Sequence, residues 1–229
     1  MTSPDHATKP AVRSAGLRLA PSLLAPLYLL ACGAPLVLAL TRSAAPAATW
    51  EIAAAALGMV GLAAMAVQAV TSGRFEVVSG RLGIDRVMAF HKVAAWWVLL
   101  ALLLHPVAYV LPTWQADPAL AWERLWAYHT LPHYRSGVIA LAALSVLVVG
   151  SALRERLPLR YEVWRGAHVV LSVVALGAGL HHAITVGRFG MIAGQPLLWW
   201  GVGAAVVAVF LVLDCWRWAR LHRRYWRLT

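Results

Sequence analysis

Charge is what this chain has least of. Only 13% of its 229 residues are charged, too few to cover the surface of a soluble domain of this size. Acidic residues are rarer still, nine against twenty Lys and Arg. A basic excess suits nucleic acid when it forms one patch. Here the basic residues flank apolar runs, so no nucleic-acid partner is expected. Cysteine is nearly absent too. Cys32 and Cys215 lie in different apolar segments with no CxxC spacing, which excludes a disulfide framework and a cysteine-held metal, and both read as buried thiols. A phosphate loop, a nucleophile–base pair and a carboxylate pair are also missing, as is GxGxxG in a strand–helix context. No catalytic side-chain constellation is expected.

What remains is apolar: 61% of the chain is hydrophobic, and the fold class it implies is an all-α integral membrane protein. A polar, basic tail (1–18) precedes apolar runs at 19–40, 52–71, 86–112, 136–153, 166–187 and from 191 or 196 to 213. The expectation is a six-transmembrane-helix bundle over 19–215 and a basic tail over 216–229. The first run is followed by small residues, as a cleaved signal would be. It exceeds the 7–15 residues of a signal core, so a retained span is expected. Sixteen of the twenty Lys and Arg fall in both tails and in the connectors after the second and fourth spans. The positive-inside bias then puts both termini in the cytoplasm, and the expected location is a bacterial cytoplasmic membrane. The connector 113–135 holds Trp114, Trp122, Trp126, Tyr128 and Tyr134, a composition suited to the membrane interface.

Two spans carry titratable rings, which are costly in lipid and face the bundle interior or a partner. His91 and His105 lie on the third span, and His168, His181 and His182 on the fifth. Fourteen helical steps bring His105 within about 40° of the His91 face and about 21 Å along the axis. With the expected topology these two spans run parallel, each offering an imidazole at two depths. That pattern can hold two haems between helices 3 and 5, each iron ligated by one His from each helix, as in an electron carrier. A four-ligand zinc site cannot be made from groups so far apart. The same histidines could instead serve a haem-free transporter or anchor as proton-relay or packing groups.

GRLGID, His91-Lys92, His105, Tyr161, Trp164-Arg165, His168 and His181 resemble the ferric reductase-like transmembrane domain over roughly residues 50 to 215. That domain is shared by ferric reductases, NADPH oxidases and the haem-binding membrane subunit of methionine sulfoxide reductase systems. The resemblance implies an oxidoreductase membrane module with two b-type haems. His91 and His168 would hold the inner iron, His105 and His181 the outer one. Electrons would pass from a cytoplasmic flavoprotein, carrying FAD or FMN and fed by NAD(P)H, to an outer-face acceptor: ferric iron, oxygen, quinone or a periplasmic reductase. The flavin and nicotinamide domains of complete family members are expected on a partner or in a further part of a longer chain. One point of geometry stands apart. Family spacing selects His181, with His182 as its neighbour, whereas ideal helix geometry puts His182 within about 40° of His168 and His181 about 140° away.

Lesser signals surround these. Trp96 and Trp97 lie between the two levels and could relay electrons or simply pack. Arg86, Lys92 and Arg165 sit at the inner depth and could pair with propionates. In the aromatic connector His129 and His133 are four apart, but Pro132 breaks the helix that would align them. Tyr109 is one turn beyond His105. The C-terminal Arg217, Arg220, Arg223, Arg224 and Arg227 would attract an acidic partner or anionic lipid.

Overall fold

The computed structural model describes residues 21–43, 47–71, 84–186, 189 and 192–225. The N-terminal tail, most of the 72–86 connector with the GRLG of the motif, and Arg227 lie outside the described residues. So do the side chains of Cys215 and of the remaining C-terminal arginines.

Every long element is helical: α1 Pro21–Arg42, α2 Thr49–Thr71, α3 Ile84–Ala116, α4 Pro118–Thr130, α5 Arg135–Ala152, α6 Tyr161–Thr185 and α7 Gln195–Tyr225. Among the described residues, α1, α2, α3, α5 and α6 are long and apolar enough to cross a membrane. The apolar part of α7, Gln195–Val209, is shorter. Prolines 26, 35, 106 and 112 are carried inside α1 and α3. Membrane helices tolerate them where neighbouring groups satisfy the freed carbonyls.

Two findings differ from the sequence expectation. The third helix does not stop at Pro112 but continues to Ala116. The aromatic connector contains a helix of its own, α4, where only a connector was expected. Asp117 caps it, its side chain accepting from the Leu120 amide at 3.1 Å, and Pro118 occupies the first turn, where a missing N–H costs nothing. The helix ends at Thr130, before Pro132 opens a short 3₁₀ turn, Pro132–Tyr134.

Four helices form the centre. α2 packs along α3, α5 along α6, α3 against α5 and α2 against α6. The two remaining pairings are diagonals without substantial packing. The histidine helices α3 and α6 therefore face each other across the middle of a square. α1 lies against α2 and α7, and α7 closes the side next to α6 and α2.

Small residues set these approaches. Ala64, Ala143 and Ala175 are buried with Val98, Leu99, Leu144 and Val148, and a second cluster joins Leu62, Ala63, Ala66, Leu176 and Trp199. Lipid tails are as apolar as leucine, so helices in a bilayer associate through close packing of small residues more than through hydrophobic exclusion. The large apolar side chains accordingly point outward, with Trp97 66% and Leu211 61% exposed.

Gly179 shows how tight the centre is. A Cβ there would meet Leu62 Cδ1 at 3.0 Å and Met65 and Ala140 slightly farther off. Gly179→Leu is expected to cost about 1–3 kcal/mol by overpacking. Gly177→Ala, with nothing within 4 Å, should be neutral or stabilising. Thermal unfolding of the detergent-solubilised variants checks both.

Candidate functional site

His91 and His105 both turn toward α2. His91 Nδ1 lies 2.9 Å from Gln68 Oε1 and His105 Nδ1 lies 2.7 Å from the Ala54 carbonyl oxygen. The contacts step fourteen residues forward on α3 and fourteen back on α2, as an antiparallel pair requires. In both cases the acceptor is an oxygen, so Nδ1 carries the proton and donates. Nε2 is left with its lone pair free, the tautomer that a metal-ligating histidine needs.

α6 repeats the pattern against α5. His168 Nδ1 is 3.2 Å from Ser151 Oγ, and fourteen residues later His182 faces Gly137, fourteen residues back on α5. The Trp164 ring lies 5.3 Å from that of His168. His182 Nδ1 is buried and has no hydrogen-bond partner. His181, which family spacing favours, has an exposed side chain. One helical residue is a 100° turn, so when His168 and His182 face α5, the unbulged helix carries His181 away.

Glycines make the rings fit. A Cβ on Gly58 would sit 2.6 Å from His105 Nδ1, and one on Gly137 would sit 2.7 Å from His182 Nδ1. At Gly58 the reason is visible in the helix. The Ala54 carbonyl points along α2 toward residue 58, so the imidazole reaching its second lone pair must pass over that residue. Neither glycine had any signal in the sequence that separated it from the others in these spans.

Between the diagonal helices, at the end of the bundle bearing His105, lies a cavity of about 500 Å³. His105 and His182 line it, with Leu62, Leu102, Gly179 and Trp199 in its apolar walls. The α4 side contributes Tyr128, His129, His133 and Tyr134, and Glu51 and Tyr109 complete that end. The Tyr109 ring packs edge-on to His105, 5.3 Å between centroids. Burial, then the neighbouring Tyr134, pushes the Tyr128 hydroxyl above its ordinary value, with Arg124 opposing. Tyr128 is thus a protonated donor across the physiological range. His129 spends its Nδ1 on the Leu125 carbonyl of its own helix, 2.8 Å away. Among the described residues no group of three or more His, Cys, Asp or Glu is disposed to hold a metal ion.

The other sequence candidates lie apart from this cavity. Trp96 and Trp97 are exposed on the outer face of α3, and Arg86, Lys92 and Arg165 are exposed near the His91 end. Gln68 was missed by sequence reading. It is the lone amide in an apolar helix interior, which was the signal available.

Comparison with known proteins agrees with this architecture. The model of the family described as "ferric reductase like transmembrane component" matches residues 57–179. An uncharacterized protein of Archaeoglobus fulgidus is 26% identical over 121 residues, covering 52% of this chain and 66% of its own length. The chain thus spans just under two thirds of that relative. No solved structure matches.

Gly58, facing the His105 ring, gives a direct test of the site's packing. Gly58→Ala should displace the His105 ring and lose its bond to Ala54, costing about 1–3 kcal/mol. Gly150→Ala, with nothing within 4 Å, should not destabilise the protein. Unfolding midpoints of the detergent-solubilised variants measure the difference.

Proposed function

Since the chain belongs to the ferric reductase-like transmembrane family, we propose that it moves electrons across the membrane through two b-type haems held between α3 and α6. The observation that carries the reading is the doubled fourteen-residue register. It sets two imidazoles fourteen residues apart on each diagonal helix, with His105 and His182 lining one cavity, and at three of the four rings Nδ1 is engaged by a neighbouring helix. A haem with protein at both axial positions exchanges single electrons and leaves no site for a substrate on iron.

The residues present suit such a group. His91 and His168 would hold the haem of the inner level, and His105 and His182 that of the outer. His182 replaces His181 in this assignment because it lines the cavity, whereas the His181 side chain is exposed. Gly58 and Gly137 keep the two outer rings close to their helices, and the apolar wall around them keeps water out. Tyr128, His129 and His133 lie where an acceptor would approach.

Six crossings follow if Gln195–Val209 completes a sixth span with its helical continuation, and the basic connectors then put both termini inside. The donor would be a flavoprotein on the cytoplasmic side, because nicotinamide gives up a hydride and a flavin can divide the pair. The acceptor on the other face is ferric iron, oxygen, quinone or a periplasmic reductase.

The test is haem content by extraction and the reduced-minus-oxidised spectrum. The parent should return close to two haems per chain with six-coordinate b-type bands. His91→Ala or His168→Ala should remove one haem, and His105→Ala or His182→Ala the other, while His181→Ala retains both. A parent without haem sinks the reading. Loss in His181→Ala with retention in His182→Ala would show that the helix rotates by one residue around the bound group.

Reduction kinetics test the donor. NADH or NADPH alone should leave the flavin-free protein oxidised, and adding a flavin reductase should reduce it. Rapid reduction by the nicotinamide alone would remove the flavoprotein from the scheme.

A further inference from the structure

Gln68 is 6% exposed in the last turn of α2. Its amide uses Oε1 on His91 Nδ1 at 2.9 Å, and its Nε2 is buried with no partner. A buried amide that is only half satisfied is destabilising relative to an apolar side chain. Helix association does not require it, because α2 and α3 already pack through Ala64, Val98 and Leu99. Its contribution is therefore to the ring it holds.

The comparison within the molecule sharpens the point. His105 receives the same service from a backbone carbonyl, which no substitution of Ala54 can remove. His91 receives it from a side chain. The first ring is fixed by the fold, the second by a replaceable group.

We propose that Gln68 is a positioning residue that sets the electronic character of the inner level through His91. Accepting a hydrogen bond from the Nδ1–H, it holds His91 in the tautomer with a free Nε2 and draws the N–H outward. The imidazole becomes a stronger donor at Nε2, which favours ferric over ferrous iron and lowers the potential of the inner haem. The proposal rests on the reading that His91 is an axial ligand.

The variants that test it are Gln68→Met, which keeps the length without an acceptor, and Gln68→Glu, which offers a stronger one. The measurement is a potentiometric titration of the purified protein, with haem content taken alongside. Gln68→Met should keep both haems and raise the inner midpoint, by about tenfold in the ferrous-to-ferric ratio at a fixed ambient potential, or ~59 mV for a one-electron couple. Gln68→Glu should lower it, and the outer haem should titrate as in the parent.

Unchanged midpoints in both variants, or equal shifts of both haems, would overturn the proposal while leaving the ligand reading intact. Should Gln68→Met lose the inner haem, Gln68→Glu must retain it at a lowered potential. Loss in both folded variants would make Gln68 a packing residue and overturn the proposal. A parent without haem fails the ligand reading, and with it the claim about potential. The tautomer claim is read separately in haem-free protein by ¹⁵N-histidine NMR. His91 should carry its proton on Nδ1 in the parent and on Nε2 in Gln68→Met, and the same tautomer in both would overturn that part as well.

Discussion

An imidazole placed at membrane depth calls for a hydrogen-bond partner, which three of the four rings find on a neighbouring helix and His182 Nδ1 does not, and that demand organises the bundle. Water is absent there, so each ring has to be met by a neighbouring helix. α2 meets both rings of α3, and α5 provides Ser151 for the first ring of α6 and a glycine for the second. Because each pair is antiparallel, a spacing of fourteen on one helix demands the same spacing on its partner. The pairs then meet with the histidine helices on a diagonal, and the central space is left to the rings.

The demands on α2 are opposed. It must approach α3 closely enough for a carbonyl and an amide to reach two rings, yet leave volume for the rings themselves. Alanine and glycine reconcile these, since they bring the helix axes together without filling the space between. Ala54 and Gly58 act as one unit, the first supplying the oxygen and the second the path to it. A single methyl group at residue 58 closes that path.

Much of this was legible in the sequence. Long uncharged runs locate the spans, because the cost of charge in lipid leaves few other sequences able to cross. The period of a helix was enough to align His91 with His105. The α4 helix has an N-terminal signal in Asp117-Pro118, but the aromatic composition of the connector suits an interfacial loop equally well. The third helix runs past Pro112 because a membrane helix can carry a proline that would stop a soluble one. Gln68 stands out only as the lone amide of an apolar helix, and Gly58 and Gly137 were not legible at all. Their meaning depends on which ring stands opposite, and that is set by packing between helices.

The histidine doublet shows how far spacing alone can be taken. Thirteen residues on a regular helix leave the second ring about 140° from His168, and fourteen leave it within about 40°. α6 is a regular helix through Thr185, without a bulge to absorb the difference. The register against α5 adds an independent constraint, because Ser151 and Gly137 lie at the two positions where rings fourteen apart must arrive. To bring His181 to the cavity, α6 would have to rotate or bulge between the two levels. It would then lose either the Ser151 contact of His168 or the alignment with Gly137. Two helices agreeing on one spacing weigh more than one helix read alone, and this agreement is what favours His182.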